Sequence, residues 1–176
     1  PSHQLELLDR QGRRLRADDN LPVPLGQISP WLIQATLAAE DHRFYSHWGV
    51  DAWATLGAAY HNLRAGRVVA GGSTLTQQLV ANLNGRPQGL TQKAWQSLQA
   101  LRWERSLSKA SLLECYLNRI PYGNNTFGVE SAARYYFGRP AASLSLAQSA
   151  FLAAIPRGPD LYNPLAHFER ARQRQH

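Results

Sequence analysis

The sequence predicts a mostly α domain with a minor hairpin at its N-terminus. Three observations carry that expectation. Apolar residues recur at three- and four-residue spacing through most of the chain. Serine, threonine or aspartate precedes those runs as a cap, twice in the capping-box form Ser/Thr-x-x-Gln. Alternation of period two is confined to residues 4–16. At 176 residues the chain fits one domain with a sizeable core, residues 1–27 giving a hairpin and connecting loop and 28–176 a helical body.

Residues 4–16 turn around Asp9-Arg10-Gln11-Gly12, and 17–27 are polar with Pro22, Pro24 and Gly26, a connecting loop. Ser29-Pro30 starts a helix with a serine cap and proline at the first helical position. Ile33, Leu37 and Glu40 share a face with Thr36, which turns Glu40 inward in the last turn. After the loop 42–50, Asp51 caps a second helix with Trp53, Leu56, Tyr60 and Leu63 on one face, ending near Gly66. Gly71 and Gly72 hinge the entry to a third helix, where Thr74 and Gln77 make a capping box. Leu75, Leu79 and Leu83 are its expected buried stripe, and Thr74, Gln78 and Asn82 align on another face. Beyond the loop 84–89, a helix over about 91–106 should turn Ala94, Leu98 and Leu101 inward. Ser108 caps the next, with Leu112, Leu113, Tyr116, Leu117 and Ile120, and Pro121 stops it. Thr126 opens a helix reaching Phe137-Gly138; Ser145 and Gln148 box the start of another that runs through Ala150–Ile155 to Pro156. The residues after Asn163-Pro164 read as helical and exposed.

Composition narrows the partners. Nineteen Lys and Arg against twelve acids give a net charge of +7, which favours nucleic acid, a phosphorylated substrate or an acidic membrane surface. The plain alternative is a solubilising excess, concentrated around Arg170, Arg172 and Arg174. Five Trp and seven Tyr suit a sugar-binding or lipid-facing groove as well as a core. One cysteine, Cys115, excludes an internal disulfide and reads as a small core residue. No apolar run reaches the ~18 residues of a membrane span. The chain opens at Pro1 on polar residues without an initiator Met or signal peptide, and is expected to be a piece of a longer protein.

Two stretches carry chemistry. In Ala38–Asp51, Glu40 and Asp41 end an apolar run and are followed by two histidines, three aromatics and a glycine. Burial and the negative end of the helix dipole both disfavour a charged carboxylate at Glu40, the condition a general base or acid exploits. A helix-ending acid paired with Arg43 explains the position equally well. The second stretch is Gly71-Gly72-Ser73-Thr74-x-Thr76-Gln77-Gln78. A glycine-rich turn feeding a helix N-terminus binds phosphate through backbone N–H groups. The alternative is a capped helix with a solvated Gln/Asn face. The Gly-Lys-Ser/Thr ending of a nucleotide loop is absent, as is any Gly-x-Ser-x-Gly. His42 and His47, five apart, do not share a helical face, so no metal site is assigned to them.

These two stretches, in this order, resemble the glycosyltransferase family 51 domain, the peptidoglycan polymerase module of class A penicillin-binding proteins and monofunctional transglycosylases. The likeness continues through Ser108-Lys109-x-x-Leu112-Leu113-Glu114-x-Tyr116-Leu117-Asn118, Tyr136-Phe137-Gly138, Leu144-Ser145-Leu146 and Tyr162-Asn163-Pro164. The resemblance implies a lysozyme-like helical fold and a lipid-linked disaccharide-pentapeptide (lipid II) substrate with a growing glycan strand. It also implies a site on the periplasmic face of the inner membrane in the bacterial cell envelope, close to the membrane surface and without nucleic acid, and a transpeptidase domain in the full-length chain. The family's base falls on Glu40, which would take the proton of the acceptor GlcNAc 4-hydroxyl as it attacks the donor MurNAc C1 with inversion. The lipid diphosphate leaves, its charge offset by cations or by a divalent metal, Mg or Mn, the one cofactor the resemblance allows.

The matched substrate-binding set is Asp41, Phe44, His47, Ser73, Thr74, Thr76, Gln77, Gln78, Asn82 and Lys93, with Glu40 and Gln96 at the catalytic positions. Departures fall in the third motif, where Arg-Lys-x-x-Glu becomes Gln92-Lys93-Ala94-Trp95-Gln96, and after the second, where Lys-Asn becomes Ala81-Asn82. This pattern is similar to the penicillin-binding protein 1C branch. Arg86, Arg102 and Arg105 are the candidates to replace lost diphosphate contacts, and Lys109 and Glu114 read as helix capping and a buried ion pair. Two other functions compete with polymerisation: a non-catalytic lipid II or glycan-binding module, supported by the depleted third motif, and a lytic muramidase using Glu40.

Overall fold

The computed structural model describes residues 7–8, 14–15 and 22–156. Strands β1 (Leu7–Leu8) and β2 (Arg14–Leu15) pair antiparallel, Leu7 opposite Leu15 and Leu8 opposite Arg14. The expected turn at Asp9–Gly12, and the expected helix beyond Asn163-Pro164, lie outside the described residues. The rest of the described chain is helical, with seven α-helices and three short 3-10 turns.

Helix α1 (Pro30–Glu40) starts on its proline as the sequence predicts, but Ser29 does not cap it. The Ser29 hydroxyl donates instead to Leu144 O at 3.0 Å, and its N–H to Ala141 O at 3.0 Å. These bonds tie the start of α1 to the segment leading into α7 (Leu146–Ala154), which lies along α1. The buried face of α1 runs through Leu32, Thr36 and Glu40 at steps of four, with Ile33 and Leu37 half-buried at its edge. A carboxylate therefore occupies an inward position that an apolar residue would otherwise take.

Helix α2 (Ala52–Ala65) is capped by Asp51, which accepts from Ala54 N at 3.0 Å, and ends at Gly66 with φ 64°. Its apolar stripe faces outward. Trp53, Leu56, Tyr60 and Leu63 are 60–84% exposed, and the one buried residue is Ala58. Helix α3 (Leu75–Asn84) carries both halves of the Thr74/Gln77 capping box. Leu75 and Leu79 are buried as expected, whereas Leu83 is largely exposed because the helix runs on past the core.

Helix α4 (Leu90–Ser106) departs most from expectation. Ala94 and Leu98 are exposed and Leu101 only half-buried; the inward face is Gln96, Ala100 and Glu104. Small Ala100 lets α4 approach closely, and its polar neighbours bond to groups on α3 and α5: Gln96 through its amide nitrogen to Gln77, Glu104 to Thr76 and Lys109. Helix α5 (Lys109–Leu117) is capped by Ser108, which accepts from Ser111 N, and buries Leu112, Leu113, Tyr116 and Leu117. Cys115 is exposed, not a core residue, because it falls between the two inward pairs of that helix.

Helix α6 (Val129–Phe137) begins after Gly128 (φ 78°), later than the Thr126 start expected from sequence. Thr126 closes a turn instead, its N–H on Gly123 O at 2.8 Å and its carbonyl accepting Tyr122 N–H at 2.8 Å. Asn124 and Asn125 in that turn take positive φ, which asparagine tolerates better than most residues. The core, around Leu32, Phe44, Leu79, Leu113, Tyr116 and Leu152, joins α1, α3, α5, α6 and α7.

Candidate active site

The loop after α1 is fixed by its own polar groups. Asp41 accepts from His47 Nε2 at 3.0 Å and from Leu75 N at 2.9 Å, so it pins the first motif to the start of α3. His47 Nδ1 accepts from Gly49 N at 3.2 Å, which leaves the ring proton on Nε2, facing Asp41. Gly49 has φ 89°, and a Cβ there would lie 2.7 Å from the Ala100 carbonyl; only glycine lets this loop rest on the α4 backbone. The Thr74 hydroxyl donates to Gly49 O at 2.6 Å and closes the knot.

A second polar hub lies beneath. Glu104, buried on α4, accepts the Thr76 hydroxyl at 2.6 Å and pairs with Lys109 Nζ at 2.7 Å. Lys109 also donates to His47 O at 2.7 Å and stands 4.3 Å over the buried Phe44 ring. The acid of this ion pair is Glu104, not Glu114 as expected from the sequence: Glu114 instead accepts the Leu25 N–H at 2.7 Å. Sequence reasoning missed Glu104. The available signal was the four-residue recurrence Gln96-Ala100-Glu104 on one face of α4.

Above this scaffold opens a cleft of about 620 Å³, lined by Glu40, Ser73, Gln78, Asn82, Arg86, Lys93, Gln96 and Tyr116, with Val68, Val69 and Ala70 at its lip. Glu40 is the one acid in that lining. Its Oε2 accepts from Gln78 Nε2 at 2.9 Å, and Gln78 Oε1 accepts the Tyr116 hydroxyl at 3.1 Å. Arg43, the ion-pair partner considered for Glu40, reaches Asp51 at 3.5 Å. Lys93 Nζ donates to Ser73 Oγ at 2.8 Å, and burial pushes its ammonium below the ordinary lysine value. Gln96 Nε2 donates to Gln77 O at 2.6 Å, while its Oε1 has no partner among the described residues.

Of the expected site residues, Glu40, Ser73, Gln78, Asn82, Lys93 and Gln96 meet in this cleft. Asp41 and Thr74 border a smaller hollow of about 190 Å³ that shares Glu40 and Ser73. Phe44, His47, Thr76 and Gln77 are buried and bonded within the scaffold. Among the three candidate arginines, Arg86 lines the cleft, and Arg102 and Arg105 are exposed on α4 outside its lining. One buried carboxylate facing one half-buried ammonium and one guanidinium can accept a proton on one side and steady an anion on the other.

A family model described as transglycosylase matches residues 7–176. The chain is 42% identical over 179 residues to a penicillin-binding protein 1A of Aquifex aeolicus, covering 99% of this chain and 25% of the relative. It is 43% identical over 152 residues to a penicillin-binding protein 1A of Neisseria cinerea, covering 86% of this chain and 19% of the relative. A third, from Neisseria flavescens, is 44% identical over 145 residues, or 82% of this chain and 18% of the relative. The chain thus spans a quarter or less of the length of these relatives. They carry the name 1A, so the 1C branch expected from the third motif finds no support in them.

Proposed function

The chain belongs to the transglycosylase family, and from that premise we propose that it is a peptidoglycan glycosyltransferase that polymerises lipid II. The observation that supports this most is the pairing of Glu40 with Lys93 and Arg86 in one cleft. Glu40 takes the proton of the acceptor's GlcNAc 4-hydroxyl, and the freed oxygen attacks the donor's MurNAc C1 with inversion. Lys93 and Arg86 offset the charge of the departing lipid diphosphate, and Ser73, held by Lys93, adds a hydroxyl to the same wall. Family and relatives favour this over a glycan-binding module or a muramidase.

A divalent cation, Mg or Mn, is proposed to arrive with the substrate diphosphate rather than on protein ligands. Among the described residues no three His, Cys, Asp or Glu side chains converge, and Gln96 stands where a second acid would sit. The protein is proposed to work at the periplasmic face of the cytoplasmic membrane, with a transpeptidase domain elsewhere in a longer chain. No described helix is long and apolar enough to cross a membrane. The outward stripe of α2, continuous with the exposed Val68 and Val69 of the cleft lip, is the face that would lie on the bilayer. Incubating the purified protein with labelled lipid II tests the activity: glycan polymer is expected, and either an unchanged substrate or cleavage of preformed glycan overturns the reading.

A further inference from the structure

A second cavity, of about 340 Å³, adjoins the cleft and shares Arg86, Pro87 and Gln96 with it. Trp95 of α4 lines this cavity and is 55% exposed. Three exposed amide side chains line it as well: Asn84 at the end of α3, Gln88 in the connecting loop and Gln92 on α4. Gly85, with φ 89°, ends α3 and turns the chain into that loop. The Gln88 N–H donates to Gln92 Oε1 at 2.7 Å, which ties the loop to α4. The Gln92 oxygen is thereby committed as acceptor, and its nitrogen remains a donor.

Charge separates the two hollows. The cleft sets Glu40 against Lys93 and Arg86, whereas the second cavity has Arg86 as its one charged lining residue. Both departures of the third motif, Gln92 and Gln96, line that cavity, so amides stand where the family pattern carries an arginine and a glutamate. An indole face packs on the C–H face of a sugar ring, and amides match its hydroxyl and N-acetyl groups. A lipid tail would strand those amides, and a further diphosphate would find only a cation that the cleft already uses. Each transfer lengthens the strand by a disaccharide, and the sugars already joined have to leave the cleft beside its reacting end. Resting on the reading of the cleft as the polymerase site, we propose that the Trp95 cavity is a saccharide subsite, holding a sugar of the growing strand outside the reacting pair.

The test compares Trp95→Ala and Trp95→Phe with the parent in the full-length protein. The probe is chitotetraose, a neutral 1,4-linked N-acetylglucosamine tetramer, titrated calorimetrically at low and high salt. Strand length is read from lipid II polymerisation, and thermal unfolding checks the fold. We expect Trp95→Ala to weaken chitotetraose binding about tenfold and to shorten the strands severalfold, with the melting temperature unmoved because the indole is largely exposed. Trp95→Phe keeps an aromatic face and should fall between the two. The parent's affinity for the neutral probe should not change with ionic strength. Parental affinity or parental strand length in Trp95→Ala overturns the proposal, as does probe binding that fades with salt, which would place the probe in the charged cleft. A parent that makes no polymer sinks the reading of the cleft itself. A polymerising parent matched by Trp95→Ala sinks only the subsite.

Discussion

Gln96 presents an amide where the family pattern carries a carboxylate, and its geometry shows what a carboxylate would meet. The amide nitrogen donates to Gln77 O at 2.6 Å. A glutamate has no proton to give there unless it is neutral, so two oxygens would face each other in a nearly dry site. The same charge would repel a diphosphate in the cleft unless a cation stood between them. Gln96→Glu should therefore leave polymerisation unchanged or lower it without added Mg²⁺. Rates of both proteins with and without Mg²⁺ check this; an inert parent rescued by the glutamate would mean that Gln96 had silenced the domain. Beneath Gln96 the Glu104–Lys109 pair is set against a buried hydroxyl and a backbone carbonyl. Lys109→Met leaves Glu104 uncompensated and should cost about 3–5 kcal/mol of stability by denaturant unfolding. Adding Glu104→Gln removes the stranded charge while keeping an acceptor for Thr76, and should recover most of that loss.

At the scale of elements, caps and stops were legible and buried faces were not. Asp51, Thr74 with Gln77, Ser108 and Ser145 with Gln148 each start the helix the sequence assigns to them, because a cap is satisfied within four residues. Ser29 is the exception, since its partner Leu144 is far along the chain. The inward face of α4 was misread for the same reason: Gln96 and Glu104 are made tolerable inside by Gln77, Thr76 and Lys109, which local periodicity cannot see. Glu40, by contrast, was legible as an inward acid because it shares a helical face with Ile33, Thr36 and Leu37, although the structure centres that face on Leu32, Thr36 and Glu40 and leaves Ile33 and Leu37 half-buried. The stripe on α2 was also visible in the sequence; the structure adds that it faces outward. Replacing Leu56 and Leu63 by glutamate should leave the fold intact, since both are exposed, and should reduce co-sedimentation with anionic lipid vesicles severalfold by removing apolar area and adding repulsion. Undiminished vesicle binding would count against α2 as the membrane face.

At the scale of the whole molecule, the excess of positive charge has a local outlet at Lys93 and Arg86. Affinity for a lipid diphosphate should fall as ionic strength rises, with exposed Arg86 screened more than half-buried Lys93. Titrations at low and high salt check this, and a flat response would exclude a cationic anchor. The Asn62 side chain has a mechanical consequence. Projecting from α2, it donates to Ala70 O at 2.9 Å and accepts from Val69 N and Ala70 N at 2.7 and 2.8 Å. Gly72 rests on the backbone of the same helix, where a Cβ would lie 2.7 Å from Thr55 Cα. Helix and lip are thus fastened together at two points, Asn62 and Gly72, so the exposed stripe of α2 and the segment that lines the cleft beside Glu40 should move as one piece. If α2 lies on a bilayer as proposed, the surface under it would bear on the cleft opening, and a flat bilayer and a strongly curved micelle should then support different rates.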